Sequence, residues 1–237
     1  MSKRPVFSTV RVFAGAVAIF GLLGALGCGA NHHLGDYQFS NRSMALVYMN
    51  PPSPELLTGG YGIASASNPV DAVIRAGTGA VKDIEARKAS VRLDSATARV
   101  DVASHLADET LARASRYLGV RPVKEDADAD FLLEVHMRSF GIDARGHDAA
   151  YLFTNAEAVL LDRRTGREIW SVDVHGTDRL TPQVDGTERG PAAIITAGTL
   201  SRMSVGDFQQ ALDQLVSYSS TLITDELRSS LRDTRKR

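Results

Sequence analysis

The stretch that most restricts the fold is "AVLLDRRTGREIWSVDV", residues 158–174. Apolar side chains run into Asp162, a polar turn follows over 162–166, and Trp170, Val172 and Val174 then alternate with polar residues. Two apolar segments around a Gly-containing turn predict an antiparallel hairpin, because alternate residues of a strand share one face. The preceding segment has period two as well, with Phe131, Leu133, Val135 and Met137 on one face and Glu134, His136 and Arg138 on the other. A half-buried antiparallel strand is predicted there. A chain with this block builds a sheet that needs covering on one face.

Helical patterns supply the cover. Asn68 before Pro69 reads as a helix start, and Val70, Val73, Ile74, Val81 and Ile84 then recur at helical spacing. Gly77 and Gly79 interrupt that pattern. Their "GTGAVK" lacks the spacing and preceding strand of a phosphate loop, so close packing or a bend is expected instead. A second helix from about Ser95 presents Val100, Ala103, Ala107, Leu111, Ala114 and Leu118 and stops at Gly119. "AAIITAGTLSRM" begins a third. The last carries Val205, Phe208, Leu212, Leu215, Val216, Leu222, Ile223 and Leu227 as an apolar stripe expected to pack on the sheet. "SMALVYMN" reads as a first strand, "VRPV" as a short extended piece and "PPSPELLTGGYGIASASNP" as a long loop. The predicted class is α+β, a small, mainly antiparallel sheet with helices packed on one face.

Ahead of this block the chain reads as a leader. Lys3, Arg4 and Arg11 precede an apolar run over 12–27, and no acidic residue occurs before Asp36. That pattern is an export signal, and the run is shorter than the roughly 20 residues of a membrane-spanning helix. It ends in "ALGC" at Cys28, the only cysteine in the chain. The ending resembles a bacterial lipoprotein box, with Ala25 and Leu26 in swapped order. The resemblance implies diacylglycerol on the Cys28 thiol and cleavage before it, and Gly29 after the cysteine implies an outer-membrane address. Read from the residues alone, a signal peptide cut elsewhere and an uncleaved anchor also fit, and each exports the chain. One acyl chain anchors only marginally, whereas two or three anchor stably. The expected division is a lipoprotein signal peptide over 1–27, a flexible polar tether over 28–42, and a single periplasmic domain over 43–237.

Charge and the absence of certain motifs argue against several classes. Twenty-seven basic residues against 28 acidic ones give a net charge of -1, which provides no field for nucleic acid. The terminal "RDTRKR" reads as a solvated tail. His32 and His33 fall in the tether, and His105 and Glu109, four apart on a helix, read as surface pairing. Asp126, Asp128 and Asp130 alternate like a calcium loop, but Phe131 and Met137 occupy its glycine and glutamate positions, so an acidic turn is expected. The chain has no G-x-S-x-G, H-E-x-x-H, C-x-x-C or dinucleotide loop. No catalytic residue, metal ligand or cofactor is assigned, and the expectation is a protein that is not an enzyme.

A family resemblance rests on "YLGVRPV", "DADFLLEVHMRSFGI" and the hairpin together. They resemble a set of bacterial envelope lipoproteins and their relatives: the curli-secretion lipoprotein, the lipoprotein activator of penicillin-binding proteins and the amino-terminal domain of the translocation protein TolB. Asp162, Thr165, Gly166 and Trp170 match that set's D-x-x-T-G-x-x-x-W strand ending, and the similarity spans roughly 106–174. It implies fold and location, with no catalytic residue to carry over. The implied function is a lipid-anchored, non-enzymatic component of an envelope assembly at the periplasmic face of the outer membrane. Its partners would be the membrane, through the lipid, and envelope proteins. Two other readings stay open: an auxiliary lipoprotein of a transporter binding a lipid or small ligand, and a cell-wall hydrolase in which His136, His147 and His175 take part.

Overall fold

The structure is a computed structural model that describes residues 33–49, 51–58, 69–125, 128–146, 149–182 and 189–234, with side chains beginning at 77 and 192 in the two helices that start at 69 and 189. The elements in chain order are β1 (Ser43–Tyr48), β2 (Glu55–Thr58), α1 (Pro69–Thr97), α2 (Val102–Leu118), β3 (Arg121–Val123), β4 (Phe131–Ala144), β5 (Tyr151–Asp162), β6 (Glu168–Arg179), α3 (Arg189–Arg202) and α4 (Val205–Thr234).

The strands form one sheet in the order β3-β1-β4-β5-β6, with β2 also paired to β4. The long ladder is antiparallel, with Leu133 opposite Leu160 and Leu160 opposite Trp170. Leu133, Val135, Ala156, Ala158, Leu160 and Trp170 are each at most 2 % exposed, so the period-two pattern marks the covered face. β1 pairs parallel with β4 and with β3, and β2 joins β4 further along, also in parallel. The sheet is therefore mixed, and the fold is α+β. Parallel neighbours require a crossover, and α1 with α2 provides the one between β1 and β3.

The expected long loop contains a strand. β2 is only four residues and approaches β4 so closely that a Cβ on Gly141 would lie 1.9 Å from the Glu55 carbonyl oxygen. Only glycine admits that pairing.

α1 continues to Thr97, beyond the expected start of the second helix. The Asp101 carboxylate accepts the Ser104 N–H at 2.9 Å and so caps α2. In α1 the spacing that signals the helix does not mark its buried side. Val81 and Ile84 are 49 % and 52 % exposed, while Ala86, Ala89, Leu93 and Ala96 are buried. Gly77 is not a close-packing residue either, since a Cβ there meets nothing within 4 Å. In α4 the stripe does face inward: Phe208, Leu212, Leu215, Val216, Ile223 and Leu227 are all buried in the common core.

The described part of the expected tether, from His33 onward, is packed on the domain. His33 donates its backbone N–H to the Ile169 carbonyl at 2.8 Å. Leu34 is 2 % exposed, and the Tyr37, Phe39 and Phe131 rings cluster with centroids 5.0–6.3 Å apart. Apolar burial overrides the polar composition of 33–42. Cys28 and the leader lie outside the described residues, as do Asn68, His32, Asp126, His147 and the last three residues.

Candidate functional site: the open face of the sheet

The β5–β6 turn is tied by short-range bonds. Asp162 Oδ1 accepts the Thr165 N–H at 2.9 Å, and the Gly166 N–H donates to the Asp162 carbonyl at 2.8 Å. Gly166 has φ 67°, which favours glycine. The Thr165 N–H and hydroxyl hold the Asp162 carboxyl below its ordinary pKa. Beyond the turn, the fully buried Trp170 donates its indole N–H to Ser230 Oγ on α4 at 3.3 Å. These residues fasten the hairpin to itself and to the last helix.

Trp170 and the other core residues of the ladder lie under the helices. Residues of opposite parity lie on the other face, and no helix covers the central part of that face among the described residues. There His136 stands opposite Glu157, which stands opposite Asp173. Arg138, at the irregular register between Met137 and Ser139, bridges these strands. Its guanidinium lies 2.8 Å from Glu157 Oε2 and 3.2 Å from Asp173 Oδ1. The Glu157 hydrogen bond, followed by the two negative charges, holds Arg138 protonated more firmly than usual. His136 Nε2 lies 3.3 Å from Glu134 Oε2. On the far side, Asn155 donates to Ser139 Oγ at 2.8 Å while its oxygen meets His175 Nδ1 at 2.7 Å. Apolar flanks of Val47, Leu132, Val159 and Leu161 are half-buried.

Chemically, this network pairs Arg138 with two carboxylates, while His136 Nδ1 is buried without a hydrogen-bond partner among the described residues. Ser139 is bonded to the Asn155 amide rather than to a histidine, and is not in the hydroxyl–imidazole pairing that activates a nucleophile. The face is thus a half-apolar sheet surface with an arginine–carboxylate bridge at its centre.

The other sequence candidates are dispersed. His105 Nδ1 lies 3.8 Å from Asp213, while Glu109 bonds Arg113 and Ser217, so the two work separately across the α2–α4 seam. Asp130 accepts the Ser43 N–H at 2.8 Å, and Ser43 Oγ lies 2.8 Å from the Asp128 carbonyl. That part of the acidic run ties the start of β4 to β1. His33 Nδ1 is 3.3 Å from Asp36. No group of three or more metal-ligating residues is positioned to hold an ion among the described residues. Nor, among them, is any helix long and apolar enough to cross a membrane. The Arg138 bridge and the Asn155 link join residues from different strands, so strand period alone marks their face without marking their partners.

No family model matches the chain, and no curated protein matches it. Several solved structures are similar. A candidate lipoprotein of Caulobacter crescentus CB15 is 16 % identical with a TM-score of 0.33, over 54 % of this chain and 83 % of that one. A protein of Xanthomonas campestris is 15 % identical with a TM-score of 0.32, over 81 % of this chain and 89 % of that one. A lipoprotein of Neisseria meningitidis is 11 % identical with a TM-score of 0.31, over 68 % of this chain and 96 % of that one. Scores this low establish neither a common fold nor a common function.

Proposed function

We propose that the chain is a bacterial envelope lipoprotein, held at the periplasmic face of the outer membrane by acyl chains on Cys28. It works without catalysis, by docking the open face of its sheet on envelope proteins. The observation that carries this reading is the one-sided cover of the sheet: the helices pack on one face, and the centre of the other bears the Arg138–Glu157–Asp173 bridge. Paired charges at the centre of a contact surface contribute more to specificity and register than to raw affinity.

The leader and "ALGC" support export and lipidation, and the single cysteine suits an exported domain whose core needs no disulfide. A photo-crosslinking residue at Val159 or Asp173, in the living bacterium, is expected to capture reproducible envelope partners. The same residue at Gln210, exposed on α4, is expected not to. Equal capture from both places, or a protein that is consistently solitary, contradicts the reading.

A further inference from the structure

The placement of His33 says which end of the domain meets the bilayer, given the Cys28 anchor proposed above. Five peptide links separate Cys28 from His33, and an extended chain spans at most about 3.6 Å per residue. The lipid-bearing sulfur therefore lies within roughly 20 Å of His33, allowing for its side chain. His33 is pinned to Ile169 beside the β5–β6 turn, and the neighbouring Gly35 lies against Thr234 at the end of α4. The membrane is thus held against the end of the molecule that carries this turn.

That end is arginine-rich. Arg163, Arg164 and Arg167 project from the turn and are exposed, and Arg232 is exposed in the last turn of α4. Arg163 and Arg164 make no ion pair among the described residues, and Arg167 comes only within 3.9 Å of Asp36. Of the acidic groups at this end, Asp130 pairs with Arg42 at 3.2 Å besides accepting the Ser43 N–H, Asp162 accepts the Thr165 N–H with the Arg164 charge beside it, and Glu168 accepts the Ser171 hydroxyl. Arg42, Arg163 and Arg164 line an open groove of about 390 Å³ together with Tyr37, Phe131 and acidic neighbours. We propose that this end is a lipid-facing surface, on which Arg163, Arg164 and Arg167 engage the anionic phospholipid head groups of the bilayer that holds Cys28.

The test uses the mature protein extracted from membranes and reconstituted in vesicles of phosphatidylcholine, with or without phosphatidylglycerol. Because Cys28 is the only native cysteine and would be acylated, a cysteine introduced by Ser40→Cys or Thr177→Cys is the one thiol to carry a fluorophore. Ser40 is exposed beside Leu34, Gly35 and Thr234 at the end of α4, whereas Thr177 lies about 30 Å along β6 from the β5–β6 turn, at 3.3 Å per residue. Lipids carrying a head-group quencher are expected to quench the Ser40 label, more strongly in the anionic vesicles, and to spare the Thr177 label. Arg163→Gln with Arg164→Gln is expected to weaken the contact equilibrium about 25-fold, roughly fivefold for each arginine near an anionic surface. Equal quenching in neutral and anionic vesicles, no change in the double variant, or quenching of Thr177 to the same extent overturns the proposal while leaving the anchor intact. An unacylated chain, recognised by its mass before reconstitution, overturns the anchor and this proposal with it.

Discussion

Single residues hold the two ends of β4 and β5 in place, and their chemistry can be tested one at a time. Asp130 joins β1 to the start of β4, and its carboxyl is held below the ordinary aspartate value of 3.8, chiefly by the Ser43 backbone N–H. A carboxyl whose pKa is lowered on folding contributes stability above its unfolded value, and loses it as the pH falls through the folded one. The thermal midpoint is therefore expected to fall as the pH drops below about 4, and Asp130→Asn is expected to lower the midpoint at pH 7 and flatten that acid loss. Calorimetry across pH checks both. Trp170→Phe keeps most of the packing and removes the bond to Ser230, so a loss of about 1 kcal/mol is expected in denaturant titrations. The β5–β6 turn is legible in sequence because its partners sit within a few residues of one another. The Ser43–Asp130 tie is not, because 87 positions separate its members.

At the scale of elements, long periodic segments are readable and short ones depend on distant support. β4, β5, β6 and the inward stripe of α4 follow from alternation and helical spacing, since one face of each is buried. β2 sits in a segment rich in Pro, Gly and Ser and becomes a strand only because Gly141, far along the chain, leaves room for it. Gly141→Ala is expected to cost about 2 kcal/mol or more and to strip hydrogen-exchange protection from the β2 amides; unchanged protection there would contradict the pairing. In α1 the legible spacing misleads about direction, because small alanines face the core while Val81 and Ile84 face outward. The open face follows the same logic: alternation shows which side chains share it, and only the bulge at Arg138 brings three strands into one bridge. Arg138→Ala is expected to change stability by less than about 1 kcal/mol, as for exposed ion pairs. It is also expected to reduce partner capture from Val159, which separates a contact role from a structural one.

At the scale of the whole molecule, the fold fixes an orientation. Helices cover one face of the sheet, the centre of the other carries the Arg138 bridge, and His33 anchors the start of the described chain at the end where the β5–β6 turn and the end of α4 meet. A 28–42 tether would have let the domain roam. With 33–42 packed on the domain, five peptide links separate Cys28 from His33, the first described residue, and set an upper reach of roughly 20 Å. The proposed attachment begins at Cys28. The most direct measurement is the intact mass of the mature protein extracted from membranes, beside a Cys28→Ala variant. Lipidation at Cys28 predicts a chain that starts at Cys28 and carries added acyl mass, with the variant lost from the membrane fraction. An unmodified chain cut elsewhere, or a variant that stays in the membrane fraction, would contradict it.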